Sequence, residues 1–439
     1  RKGFLILIMS RFRPRTVFHG WFIVATIFFV VMVTSGIRSG MGVFVLPMSE
    51  EFGWSRGVIS LAGALGILIS GISQPFVGNV YDKWGGRNLM LIGIVIIGCT
   101  VILLSVTFHF LYFILVFSVV NSIAMSAGSM TTGAVIVSKW FQRKRSTAIS
   151  FAAAGSSVGG LILVPFTTYM IILTNWRFTW IALGLIVIFA VFPIAYLLLR
   201  DNPKDIGLVS DGDNQTTNLS STDKQSPEGP LAVTEWRLAF RSKPMWQLIF
   251  AYFVCGFTTL IMAFHFVPYA IEKGFSPATA ATAFGLLSAM NTVGALMVGP
   301  LADKFGNKNL LGITYGFRSF GYLCILLLPG QWGLWAFAII GGASWLATVP
   351  LTISLTTDFY GLKKSGTLNG IVFMSHQIGG SVGIQFGGIM RDISGSYVLP
   401  FAIGALLLVI ASIVSLRIRE KEYSSRYVSG TALPVSHKI

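Results

Sequence analysis

Apolar blocks of about 20 residues or more recur along nearly the whole chain, separated by short polar stretches. A helix of about 20 residues crosses a hydrocarbon layer about 30 Å thick. Lipid offers no water to open backbone groups, so blocks of this kind must be helical. The pattern predicts twelve spans, at 20–47, 55–79, 88–107, 111–138, 146–172, 177–199, 245–271, 277–301, 309–329, 332–357, 365–390 and 395–418. Most loops are short enough to force antiparallel neighbours. The exception is the polar run 200–244. Its Ser210–Pro230 part, rich in Asp, Asn, Ser and Thr, reads as disordered. Asn214 and Asn218 each begin a glycosylation sequon, discounted because this loop is expected on the cytoplasmic side. Glu235–Lys243 reads as a short interfacial helix. The expected organisation is a tail at 1–19, a six-helix bundle at 20–199, a linker at 200–244, a second six-helix bundle at 245–418 and a tail at 419–439. Met9 fits an initiator followed by the basic stretch Ser10–Arg15, and no cleavable signal is read.

The two bundles repeat each other. Gly78-Asn-Val-Tyr-Asp82-Lys83-Trp-Gly85-Gly-Arg87 matches Gly299-Pro-Leu-Ala-Asp303-Lys304-Phe-Gly306-Asn-Lys308 at an offset of 221. Pro47, Glu51, Gly53 and Ser55 match Pro268, Glu272, Gly274 and Ser276 in the same register. Gly159-Gly160 and Gly184 fall on Gly379-Gly380 and Gly404 at 220. Four matches in nearly one register describe two similar halves related by an axis along the membrane normal.

Charge is scarce, at 11% of residues against 54% hydrophobic, and the net charge is +16. Of the 32 Lys and Arg, 26 fall in segments on the side of the termini and 4 in loops on the other. Arg38 and Arg318 lie inside spans. That asymmetry places both termini in the cytoplasm and argues against a nucleic-acid partner. Cys99, Cys255 and Cys324 all lie in apolar spans and read as small packing residues. No metal spacing, phosphate-binding glycine loop or catalytic triad is present, so neither an enzyme nor a cofactor is expected.

The doubled Gly-x-x-x-Asp-Lys-x-Gly element follows spans two and eight. It resembles the signature loop of the major facilitator superfamily, a resemblance that covers residues 17–420. Trp140-Phe-Gln-Arg143-Lys144-Arg145, followed by Ala148, Ala152, Ala154 and Gly155, is similar to the signature of monocarboxylate transporters. Thr147 and Ser150 depart from that signature. The resemblance implies an all-α fold of two pseudo-symmetric six-helix bundles that rock about a central site. It also implies a gate built from Gly78, Asp82, Lys83, Gly85 and Arg87 with Gly299, Asp303, Lys304, Gly306 and Lys308. The aspartates would cap and charge-pair across the bundle interface; Arg87 and Lys308 would hold helix-end carbonyls. Characterised monocarboxylate carriers place an arginine where this chain has Ala295. Proton-coupled ones place an acid where it has Asn291.

A charge within a span costs about 2.5–3.5 kcal/mol at the helix centre, so each one asks for a reason. Arg38 lies in a small, polar run of span one, its repeat counterpart is Thr259, and no acid lies mid-membrane in that half. An unpaired guanidinium facing water would bind an anion, best a carboxylate held bidentate. His376 and Gln377 in span eleven, His265 in span seven, and Asn121 and Asn291 in spans four and eight are further candidates to contact substrate. His376 is also the candidate proton carrier. Arg318 and Asp358 are expected to pair with each other.

The expected function is secondary transport of a small organic anion, a monocarboxylate first, by proton symport or anion exchange across the inner membrane, as a monomer. The alternative is export of drugs, siderophores or other amphipathic compounds. A transporter-like sensor lacks room for a soluble domain.

Overall fold

The computed structural model describes residues 18–211 and 230–427. The tail before residue 18, both sequons and most of the Ser210–Pro230 run lie outside the described residues. Every regular element described is a helix.

Twelve long helices follow one another: α1 Gly20–Phe52, α2 Arg56–Trp84, α3 Gly86–Leu104, α4 Phe110–Trp140, α5 Arg145–Leu173, α6 Trp176–Leu198, α7 Lys243–Glu272, α8 Pro277–Phe305, α9 Asn307–Leu327, α10 Gly330–Tyr360, α11 Ser365–Ser394 and α12 Val398–Leu416. Eleven of them are long and apolar enough to span a membrane. The other, α11, has the length but is diluted by Ser, Gly, Asn369, His376 and Gln377, and it buries most of those groups against its neighbours. The fourth helix of each half is broken near its middle. In α4 the break is at Gly128–Ser129, after a π-helical stretch Ile114–Asn121; in α10 it is at 345–347. Before α7 a short 3-10 helix, Trp236–Arg241, stands where the interfacial helix was expected.

Each half has its own hydrophobic core, one of residues up to Leu199 and one of residues from Val233 onward, with Ile353 joining the first. The halves pack alike. In the first, α1 lies against α5; in the second, α7 lies against α11. A Cβ on Gly159 would sit 2.0 Å from Met32 O, and one on Gly379 would sit 2.1 Å from Phe253 O. Those two contacts are the same contact one repeat apart. Small residues let membrane helices approach this closely, where packing and not the hydrophobic effect drives association.

Caps repeat as well. Ser55 Oγ accepts the Val58 N–H at 3.3 Å to start α2, and Ser276 Oγ accepts the Thr279 N–H at 3.1 Å to start α8. Gly85 and Gly306, at φ +84° and +92°, turn the chain between α2 and α3 and between α8 and α9. The N–H groups freed at those turns go to carboxylates from after the last helix of each half. Asp201 accepts from Gly86, and Glu420 accepts from Asn307 and Lys308, all at 3.0 Å. A side chain at Gly85 would meet Asp201 at 2.8 Å, so this position needs glycine for its conformation and for its cap.

Candidate functional site

The two halves meet along two seams, α2 against α11 and α5 against α8. Helix ends set the first contact in each. Gly78 and Gly366 face each other, and a Cβ on Gly78 would lie 2.2 Å from Gly366 O. At the other seam a Cβ on Gly299 would lie 2.6 Å from Ser146 O. Backbone approach this close brings a signature aspartate over the start of the opposing helix. Asp82 accepts from Gly366 N and Thr367 N at 2.9 Å each and from Thr367 Oγ1 at 2.5 Å. Asp303 accepts from Ser146 N at 3.1 Å, Thr147 N at 2.9 Å and Thr147 Oγ1 at 2.6 Å. Each carboxylate therefore caps a helix of the other half, where the free N–H groups and the macrodipole favour negative charge. Arg87 donates to Leu199 O and Tyr196 O at 2.9 and 3.0 Å, and Lys308 to Leu416 O at 3.2 Å. These cations sit on the last carbonyls of α6 and α12, within their own half. Lys83 and Lys304 stand in the last turns of α2 and α8, the favourable place for a cation.

The expected Arg318–Asp358 pair does not form. Asp358, at the end of α10, pairs instead with Arg145 at the start of α5, and both are buried. Asn307 Nδ2 reaches Asp358 at 3.4 Å, and Ser146 Oγ joins Asn307 Oδ1 and Ser354 Oγ at 2.7 and 3.2 Å. Arg318 is fully buried in the second half. It donates to the carbonyls of Ser344 and Trp345, freed by the break in α10, and to Thr258 and Thr259 Oγ1 at 3.4 and 3.2 Å. The broken turn outcompetes a carboxylate because its unpaired carbonyls lie next to α9, whereas Asp358 lies at the far end of α10. Sequence reasoning missed Arg145 as a partner, although a signal existed. A cation in the first turn of a helix opposes the dipole and calls for an acid nearby.

Two of the polar candidates close the seams at mid-membrane. Gln377 Nε2 donates to Ile67 O at 3.3 Å across α2–α11, and Asn291 Nδ2 to Ser157 Oγ at 2.8 Å across α5–α8. Asn291 Oδ1 also accepts the Leu346 N–H of the broken α10 turn at 3.0 Å. His376 Nδ1 lies 3.1 Å from Gln377 Oε1. His265 Nε2 lies 3.0 Å from Ile384 O and packs on Gly387, and Asn121 Oδ1 accepts from Thr100 Oγ1 at 3.0 Å. Those last two bond within their own halves.

Among the described residues no hydrogen bond joins the halves beyond the Gln377 and Asn291 level. On that side each half is tied to itself. Glu51 holds Arg177 at 2.5 Å and Trp176 Nε1 at 2.6 Å; Glu272 holds Arg391 at 2.6 Å. Gly63, Gly285 and Gly388, on the outer parts of α2, α8 and α11, have open space where a Cβ would go. The halves are thus joined on the signature-loop side and part on the other.

Arg38 stands just above this floor. Ser35, one turn earlier on α1, lies 3.3 Å from Ser156 Oγ, beside the Ser157 that meets Asn291. A turn of helix rises about 5.4 Å. Arg38 is half-buried, and among the described residues no hydrogen bond or ion pair engages its guanidinium.

A family model described as Major Facilitator Superfamily matches residues 27–384. Uncharacterized MFS-type transporter YcxA of Bacillus subtilis (strain 168) is 25% identical over 403 residues, 90% of this chain and 94% of that one. Monocarboxylate transporter 12 of Mus musculus is 23% identical over 410 residues, 90% and 84% of the two chains. Among solved structures, the E. coli fucose:proton symporter FucP aligns with a TM-score of 0.68 at 16% identity, over 90% of this chain and 97% of that one. The proton:xylose symporter XylE aligns with a TM-score of 0.71 at 12% identity, over 93% and 98%. The two structural likenesses speak for the fold alone.

Proposed function

The chain belongs to the Major Facilitator Superfamily, a transporter and not an enzyme, and from that premise we propose that it carries a small organic anion by alternating access. A monocarboxylate is the first candidate. The observation that carries this reading is Arg38, a cation inside a span with no partner, one turn above the floor where the halves meet. A free guanidinium in a wet cleft offers a carboxylate two parallel hydrogen bonds. Relatives that bear the name monocarboxylate transporter support the substrate class. The open side faces outward if the termini are cytoplasmic, as the excess of Lys and Arg on their side indicates. In a bacterial cell that membrane is the inner one.

In this reading the anion enters from the open side and binds Arg38. The Asp82 and Asp303 caps then release, and the halves rock to open the other face. The test is uptake of labelled lactate, pyruvate and formate into proteoliposomes, with and without an inward proton gradient. Saturable uptake that Arg38→Ala abolishes supports the proposal, and gradient dependence decides between symport and exchange. Folded wild type that takes up none of these acids overturns the monocarboxylate assignment.

A further inference from the structure

The second half buries a polar cluster that the gate and the cleft do not use. At its centre is Arg318, 0% exposed, with no carboxylate among its partners in the described residues. Cys255 Sγ of α7 lies 3.4 Å from Arg318 Nη1 and 3.0 Å from Thr348 Oγ1 of α10. The Tyr315 hydroxyl of α9 and the His376 ring of α11 adjoin the same sulfur. The Tyr252 ring lies 4.9 Å from the His376 ring. Tyr252 Oη, Tyr315 Oη, His376 Nε2 and Arg318 Nε are all buried and lack a hydrogen-bond partner. Such orphans are rare and each needs a reason.

The fold does not demand this cluster. At the matching positions of the first half stand Thr34 for Cys255, Val31 for Tyr252, Ile94 for Tyr315, Ile97 for Arg318 and Ser156 for His376. There Ile97 packs beneath the broken turn of α4, within 3.1 Å of where a Cβ on Gly128 would lie. An apolar side chain therefore suffices under that break. The second half instead holds a buried charge, which is costly unless balanced. The Arg318 guanidinium and the Thr348 hydroxyl lie within hydrogen-bond distance of the sulfur, and the Tyr315 hydroxyl and the His376 ring lie nearby. Of the titratable groups here, Tyr252, Cys255, Tyr315, Tyr322, Arg318 and His376, the thiol is the one that most readily becomes an anion. No titratable group enters the cluster from α10.

We propose that Cys255 and His376 together hold one exchangeable proton, with the Cys255 thiolate balancing Arg318 when that proton is absent. His376 is the entry, since it keeps 7% exposure against 1% for Cys255, and it hydrogen-bonds Gln377 at the floor of the cleft. On protonation the ring takes a proton from cleft water at Nδ1, the edge that meets Gln377, and passes its Nε2 proton to Sγ. The S–H bond forms, the Nε2–H bond breaks, and the ring is neutral again. The cluster then moves from net zero to net +1, because Arg318 has lost its counter-ion. A positive second half attracts an anion into the cleft, which links proton to substrate without the acid that other carriers place at the position of Asn291. This coupling rests on the anion reading above; the proton site itself does not.

The test is infrared spectroscopy of the S–H stretch on full-length, purified protein with no substrate present. At neutral pH wild type is expected to show two S–H oscillators, from Cys99 and Cys324, and Cys255→Ser is expected to leave both. On acidification wild type gains a third, absent in Cys255→Ser and displaced in pH in His376→Gln. If Cys255→Ser does not fold, the gain of the third S–H band in wild type still decides the matter. Three S–H oscillators in folded wild type at every pH between 5 and 9 overturn the proposal. That result leaves Arg38-dependent uptake untouched, and absent uptake leaves the band count untouched.

Discussion

The two seams are copies of one design with one difference. Both carry a signature aspartate over three donors of the opposing helix, a close backbone approach below it and a side-chain amide at mid-membrane. Among the described residues, only the α5–α8 side adds a buried ion pair, Arg145 with Asp358. The matching positions at the other seam are Ser365 and Ser138, and Ser138 bonds its own helix. Arg426 further donates to the Ala302 carbonyl at 3.1 Å and to the Asp303 carbonyl. The seams therefore differ in what remains when the capping aspartate lets go. The α5–α8 seam keeps a charged contact and is expected to act as the hinge; among the described residues the α2–α11 seam keeps none and is expected to open first.

The largest expected effect comes from breaking the ion pair on one side only. Asp358→Asn leaves Arg145 buried without its counter-charge and is expected to destabilise by about 3–5 kcal/mol. The double change Arg145→Met with Asp358→Leu is expected to recover most of that loss in thermal unfolding of detergent-purified protein. A single change that costs under about 1 kcal/mol would remove the distinction between the seams.

Next come the caps. Asp82→Asn removes charge-assisted bonds worth about 1.5–3 kcal/mol each. It is expected to shift the population away from the outward-parted form more than Asp303→Asn does, because the ion pair backs up Asp303. Equal shifts in site-specific labelling of the two seams would contradict the hinge assignment. The smallest effects belong to the mid-membrane amides. Gln377→Leu and Asn291→Leu are expected to cost about 0.6 kcal/mol each, up to about 1.7. Asn291→Leu should be the larger, since it also strips the Leu346 N–H of its acceptor. Unfolding curves of the two variants give that order directly.

Much of this arrangement was legible in the chain. Apolar block length is a direct physical requirement of the bilayer, so the helices could be counted. The 221-residue register located Gly78, Asp82, Gly299 and Asp303, because a close approach needs glycine and a helix start needs an acceptor. Partners were less legible. Arg145 and Asp358 are 213 residues apart and their repeat counterparts, Ser365 and Ser138, are uncharged, so no register joined them. Arg318 was assigned to an acid because a buried cation calls for one. The break in α10, which frees carbonyls for it, is marked in the sequence only by Pro350, whose missing N–H leaves Leu346 O without its helical donor one turn earlier. Asp201 and Glu420, which cap α3 and α9, were invisible for a similar reason: each follows its half's last helix, far from the turn it satisfies.

The central claim is that the halves are latched at the signature loops and parted opposite, and a distance tests it most directly. Spin labels at Gly63→Cys and Gly388→Cys, with Cys99 and Cys324 replaced and Cys255 left buried, report the separation of the open ends of α2 and α11. The account predicts a predominantly long distance in wild type and a growing short population in Asp82→Asn. A single short distance in wild type, or a distribution that Asp82→Asn does not change, would contradict it.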